Sequence, residues 1–310
     1  MRILVGAVLQ LHGRHRGVPY LRAACSQGRR SIVAVGQPKG FGRNRRQRSM
    51  NTLMAPPLFT HPRELRAEIA AGRWDGNLGT IPQGYTQSSV VILPGSHAAD
   101  FLKFCQLNSK AAGLLHMGAP GDPDPGPLAP GGDIRSELHS YRIWRDGELV
   151  GRASDVKDLW REDMVAFYLG CSLTFEHALT QAGVVRGEGR VYTTGIPTTA
   201  VGNFSTNLAV TMRPMDTANA IRAIQVTSRF PATHGGPVHF GDPAKLGLKD
   251  LSAPDFGPAP TLGADELPVF WACSATAVLA AQAAKPDLMI TFDPPYMLIT
   301  DRRVEETAVF

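Results

Sequence analysis

Beyond residue 60 the chain alternates short apolar runs with amphipathic stretches, and each change of period marks a new element. Residues 62–71 read as a helix, with Pro62 near its first position and Gly72 just past its last. Ser88-Ser-Val-Val-Ile-Leu93 reads as a buried strand. Ser96 then reads as the cap of a helix reaching Leu107, with Phe101, Leu102 and Cys105 on one face. Residues 118–132 are too dense in Gly and Pro for a regular element, and residues 142–150 form a hairpin turning at Asp146-Gly147. Residues 158–169 read as a helix broken at Gly170-Cys171-Ser172, and a second helix over 175–182 is closed by Gly183. Strands follow at 191–194 and 208–213, then a helix over 217–227. A strand at 269–273, a helix at 276–284 and strands at 288–292 and 297–300 complete the pattern. This mixture predicts a layered α/β fold.

After the 217–227 helix comes a turn-rich run, Ser228-Arg-Phe-Pro-Ala-Thr-His-Gly-Gly-Pro-Val-His-Phe-Gly-Asp-Pro243. Such a connection can aim several side chains at one point. Arg229 suits a carboxylate, and an imidazole, the side chain of His234 and His239, ordinarily titrates near neutral pH and can move a proton; the plainer reading is two loop histidines and a turn-capping Asp242. Gly170-Cys171-Ser172 leading to Glu176 offers exposed N–H groups at a helix start, or a packed thiol in a tight junction. Asp133 and Arg135, two apart, pair structurally or line a pocket together. Cys273 ends an apolar strand, where ligands sit in α/β sheets, although a packed thiol is the commoner outcome. Tyr85 and Gln87 precede a strand as further polar candidates.

Composition narrows the classes. The net charge is +5, but the first 50 residues hold 11 of the 32 Lys and Arg and no acid, so the rest carries 21 basic residues against 27 acidic ones. That body lacks the basic stripe of a nucleic-acid binder. Residues 1–53 read as a basic, disordered extension: a start codon placed upstream of the true Met50 or Met54, or alternatively an organellar transit segment, which would make the protein mitochondrial rather than cytoplasmic. No apolar run reaches membrane-span length. Four dispersed cysteines without a CxxC pair suit a reducing compartment and neither zinc nor a disulfide framework. His234, His239 and Asp242 make a conceivable metal set, but nothing fixes ligand geometry there, so no metal is expected. No dinucleotide or phosphate-loop glycine motif is present, so no cofactor is expected.

The turn-rich run, together with Gly118-Ala-Pro-Gly-Asp-Pro-Asp-Pro125, Leu128-Ala-Pro-Gly-Gly-Asp-Ile-Arg135, Gly170-Cys-Ser-Leu-Thr-Phe-Glu176 and Pro268-Val-Phe-Trp-Ala-Cys273, resembles the hydro-lyase family that includes D-glutamate cyclase, from about Pro62 to Asp301. The resemblance implies two α/β lobes, the smaller inserted in the larger. Residues 54–116 and 216–310 are the expected main domain and residues 117–215 an inserted α+β domain that holds the hairpin. It also implies a cofactor-independent lyase that forms 5-oxo-D-proline and water from D-glutamate or treats a related small acid; a binding paralogue that has lost the reaction is the other reading. The expected partner is a small acidic amino-acid-like substrate, with no nucleic acid or membrane, and with a homo-oligomer possible. In this scheme His234 or His239 moves the proton, Asp242 orients the ring, and Arg229 holds the α-carboxylate. Ser172 or nearby N–H groups hold the reacting carboxyl, Glu176 and Cys171 stand next in line, and Asp133, Arg135, Tyr85 and Gln87 lie on the substrate side.

This sequence departs from the family pattern at polar positions. A Tyr-Arg-Thr-Asn-Ile-Pro-Cys-like run reads Tyr192-Thr-Thr-Gly-Ile-Pro-Thr198 here, and a Thr-His-Ala-Pro-Gly-His-Met run reads Thr291-Phe-Asp-Pro-Pro-Tyr-Met297. An arginine, an asparagine, a cysteine and two histidines are thereby absent.

Overall fold

The computed structural model describes residues 59–184 and 189–310, and among these described residues two antiparallel sheets pack with five α-helices. The expected extension at 1–53 lies outside the described residues; the described residues form one compact unit. The strands are β1 (Tyr85–Pro94), β2 (Leu114–Met117), β3 (Tyr141–Arg145), β4 (Glu148–Ala153), β5 (Met164–Gly170), β6 (Arg190–Pro197), β7 (Asn207–Asp216), β8 (His239–Phe240), β9 (Glu266–Ala272), β10 (Met289–Phe292) and β11 (Leu298–Arg303). The helices are α1 (Pro62–Ala70), α2 (Gly95–Leu107), α3 (Glu176–Gln181), α4 (Thr217–Thr227) and α5 (Ala275–Ala283). The larger sheet runs β2-β5-β1-β10-β3-β4, with β11 beside β1; the smaller runs β6-β7-β9-β8.

β1 is the spine of the larger sheet. It pairs with β5 along one side, from Ser88↔Gly170 to Pro94↔Met164. Its other side is shared between β10, at Val91↔Thr291, and β11, at Ser88↔Leu298. Both faces are covered. On one, Val91, Leu93, Val165 and Phe167 meet Phe101 and Phe104 of α2 and the alanines of α5. On the other, Val90, Ile92, Ala166 and Tyr168 lie beneath Leu128, Ile134 and Leu138, so the Gly/Pro-dense stretch acts as a packed cover. Each large side chain buried this way stabilises the fold by about 1.5–3 kcal/mol.

This double burial explains the main departure from the expected elements. Residues 164–170 are a strand, not the end of a helix, and all seven are buried; a strand covered on both faces shows no alternation and cannot be told from a buried helix by period. β2 leaves no signal in the sequence, because three of its residues are only partly buried, Met117 is exposed, and together they give no pattern. Ser96 is not a cap: α2 begins at Gly95, with Pro94 at the N-cap position and no side-chain bond there. α1 starts on a capping box formed by His61 and Glu64, and α4 on Asp216, whose carboxylate accepts from Asn219 N at 2.7 Å. The hairpin stands where the residues place it, with Asp146 and Gly147 at φ 50° and 85°, as a tight turn with two positive-φ residues requires.

The strands divide differently from the expected domain boundaries. β3, β4 and β5, expected in an insert over 117–215, belong to the larger sheet, while β6 and β7 join β8 and β9 in the smaller one. The smaller sheet packs Met215, Val269 and Trp271 against α3 and α4 on one face. On the other, Tyr192, Val210, Met212 and Phe270 pack against Leu246 and Leu248.

Candidate functional site

β5 ends at Gly170, and the chain turns into a 3-10 segment, Ser172–Phe175, before α3. Two glycines make the turn's surroundings possible. A Cβ on Gly170 would stand 2.0 Å from the Ala232 carbonyl oxygen, and one on Gly113 would stand 2.5 Å from the same atom. The turn-rich loop therefore lies directly on the end of β5, at a distance no larger residue allows.

Cys171, the first residue after β5, is buried, and burial pushes its thiol up to about 12 even though the Leu173 N–H and the Ser89 hydroxyl bond to it. Among the charges acting on it are Cys273 and Glu176. Cys273 follows β9 and precedes α5. Its thiol is also raised by burial, against the pull of the Thr211 hydroxyl, the Ala275 N–H and the positive charge of Arg213. Both sulfurs are thus protonated at neutral pH, able to donate weakly but not to attack as thiolates. Ser89 Oγ lies 2.7 Å from Ser274 Oγ and 3.6 Å from Met297 Sδ, which ties β1, the start of α5 and the β10–β11 turn together.

Arg213 completes the cluster. It stands on β7, 6 % exposed, and its guanidinium bonds directly to the Glu176 carboxylate, whose side chain is 15 % exposed. Taking two charges out of water costs several kcal/mol per ion, which only close pairing offsets. Such a pair, placed beside two thiols and several hydroxyls, is suited to recognise and protonate or deprotonate a small charged molecule.

Of the candidates read from the sequence, the structure brings Cys171, Ser172, Glu176 and Cys273 into this region. It does not gather Arg229, His234, His239 and Asp242. His234 is 1 % exposed, in the left-handed region at φ 80°, with Nδ1 3.1 Å from the Lys110 carbonyl oxygen and Nε2 buried without a partner. Burial lowers its pKa to about 4, so the ring is neutral. His239 stands on β8 and lines a shallow groove of about 420 Å³ with Ser228, Val238 and Lys245. Its Nε2 bonds the Asp242 carbonyl oxygen at 2.8 Å, so the backbone of Asp242, rather than its carboxylate, orients the ring. That carboxylate caps the 3-10 segment Pro243–Leu246 by accepting from Ala244 N. Arg229 is exposed and stacks on the Phe310 ring at 4.1 Å. The physical reason is the loop's own turns: the positive φ at His234 and Gly235 sends His234 inward, while β9 draws His239 into the sheet edge.

The remaining candidates have local partners. Arg135 and Asp133 form a bidentate pair at 2.8 and 2.9 Å. Tyr85 lies under the Arg303 guanidinium, and the Gln87 backbone exchanges hydrogen bonds with the Thr174 hydroxyl. Thr194, at one departure from the family pattern, donates to the Leu208 carbonyl oxygen at 2.8 Å. Among the described residues no group of three or more His, Cys, Asp or Glu is placed to hold a metal ion, and no helix is long and apolar enough to cross a membrane.

Sequence reasoning missed Arg213, Thr211, Ser89 and Ser274. One signal was available for Arg213: a lone arginine inside an apolar strand, Leu-Ala-Val-Thr-Met-Arg-Pro-Met, has to be paired or exposed.

A largely buried ion pair, two protonated thiols and linked hydroxyls thus gather where β5 and β9 end. Residues 165–301, which contain all of these groups except Ser89, match the D-glutamate cyclase family model. A "Putative hydro-lyase" of Verminephrobacter eiseniae is 49% identical over 258 residues, covering 81% of this chain and 94% of that protein. Proteins with the same description from Bordetella petrii and Geobacillus kaustophilus are 47% and 44% identical, covering 76% and 80% of this chain and 92% and 96% of theirs. The chain belongs to the hydro-lyase family that includes D-glutamate cyclase. A nitrogen repressor-like protein of Methanococcus jannaschii superposes with a TM-score of 0.36 at 8% identity, over 75% of this chain and 92% of that one, a likeness that carries no argument.

Proposed function

We propose that the chain is a cofactor-independent hydro-lyase of the D-glutamate cyclase type, converting D-glutamate or a related small acid to 5-oxo-D-proline and water. The observation that carries this reading is the Arg213–Glu176 pair beside Cys171, Ser172 and Cys273. Family membership supports the reaction class, and the pair supplies the chemistry it needs.

Lactam formation moves two protons from the ammonium nitrogen to one carboxylate oxygen, which leaves as water. In the proposed sequence the substrate carboxylate docks against Arg213. Glu176 takes the first ammonium proton and passes it to the side-chain carboxylate. The freed amine attacks the carboxyl carbon, forming the C–N bond. Glu176 then carries the second nitrogen proton to the departing hydroxyl as the C–O bond breaks. One carboxylate used twice balances the reaction, and Ser172 with the N–H groups of its 3-10 segment steadies the developing oxyanion. Burial of Arg213 and Cys171 lowers the local polarity, which strengthens each of these interactions.

The test is pyroglutamate formation from D-glutamate by the purified chain. Glu176→Gln is expected to lower kcat by roughly two to four orders of magnitude, and Arg213→Met chiefly to raise KM. Retention of near-normal kcat by Glu176→Gln would remove the carboxylate from the mechanism. A second reading, a binding protein with altered specificity, is favoured by one observation: Thr194 is engaged with backbone and adds no cation to the site. Saturable binding of D-glutamate without turnover would select it.

A further inference from the structure

At the end of β10 the carboxylate of Asp293 receives two arginines at once. Arg142 Nε approaches one oxygen at 2.5 Å, Arg152 Nε the other at 2.9 Å, and the Ser140 hydroxyl adds a bond at 3.1 Å. Arg142 and Arg152 stand directly opposite each other on β3 and β4, an arrangement of like charges that destabilises a sheet unless an anion offsets it. One carboxylate offsets only one of the two charges, so the cluster keeps a net positive charge.

The geometry also leaves donors over. A guanidinium has five N–H groups, and each arginine uses only its Nε–H on Asp293. Among the described residues the terminal nitrogens of both make no hydrogen bond, and none is sealed from solvent: the Arg142 side chain is 23% exposed and that of Arg152 54%. The anchor is rigid, since Asp293 N donates to the Ser140 carbonyl oxygen at 3.0 Å and Tyr296 N to the Asp293 carbonyl oxygen at 2.9 Å. Two guanidiniums held side by side, with their outer edges open, match an oxyanion that accepts through two or more oxygens.

We propose that Arg142 and Arg152, held by Asp293, form an oxyanion-binding site for a carboxylate or phosphate group. Asp293 sets the spacing and orientation of the fork, and the uncompensated charge supplies the attraction.

Isothermal titration of the full chain at low ionic strength, with inorganic phosphate and with glutarate in separate runs, tests the site. Saturable binding of either probe is expected; phosphate alone points to a phosphoryl ligand, and glutarate alone to a carboxylic acid. Arg152→Met, at an exposed position, is expected to weaken that binding by roughly tenfold or more while leaving the thermal midpoint unchanged. Arg142→Met is expected to act in the same direction, and Arg213→Met to leave phosphate binding intact. The proposal is overturned if the wild type binds neither probe, if Arg152→Met and Arg142→Met bind as the wild type does, or if Arg213→Met alone removes the binding.

Discussion

Acidification should destabilise the chain through His234, and the effect can be sized from the structure. The ring is 1 % exposed, and its pKa falls from 6.5 to about 4 because burial penalises the imidazolium, with the nearby Lys110 charge acting the same way and the Lys110 carbonyl bond opposing both. Above pH 6.5 the ring is neutral in both folded and unfolded chains, so this group contributes no pH dependence. As pH falls below 6.5 the unfolded chain takes up a proton that the folded chain refuses, and stability drops until the folded ring itself protonates near pH 4. Integrated over that window the loss is about 3 kcal/mol, a sizeable part of a typical domain's margin. The assay is urea denaturation at pH steps from 7.5 to 4 for the wild type and for His234→Asn, asparagine being chosen because it tolerates positive φ. The variant should start less stable at pH 7 and show a shallower decline between pH 6.5 and 4. Parallel pH curves for the two proteins would refute the buried neutral imidazole.

Three further outcomes follow from packing and charge. Gly170→Ala should destabilise by about 1–3 kcal/mol or more in denaturant unfolding, since its Cβ would meet the Ala232 carbonyl oxygen at 2.0 Å and the backbone must shift. Arg66, 2 % exposed and bonded to Glu137, Asp301 and the Ile299 carbonyl oxygen, should cost about 3–5 kcal/mol as Arg66→Met, because two carboxylates lose their counter-charge; a drop under about 1 kcal/mol in the same assay would contradict this. Cys171, buried with its thiol pushed up to about 12, should resist iodoacetamide at pH 8 in the native chain and react at ordinary rates only in denaturant, as peptide mapping of the alkylated protein will show.

Local chemistry was legible in the sequence wherever one short stretch determined it. The Asp146-Gly147 turn and the helix beginning after Asp216 are specified by neighbours in the chain, and both stand where the residues put them. β5 was opaque because its environment, not its composition, makes it a strand: β1 and β2 flank it and both of its faces are buried. No window of seven residues contains that information.

The site was opaque for a related reason. Arg229, His234, His239 and Asp242 are close in sequence and rich in function, yet closeness along a turn-rich loop says little about direction. A single positive φ at His234 is enough to point one histidine into the core while the next lies along β9. Arg213 and Glu176 show the converse. They lie on a strand and a helix of different period, 37 positions apart, and meet only because α3 packs on the smaller sheet beside β7. The pairing that matters chemically is therefore a product of topology. What the sequence did disclose was a necessity: a charged residue in an apolar strand must find its partner, so an arginine inside a buried run is a better pointer to a site than a cluster of polar residues in a loop.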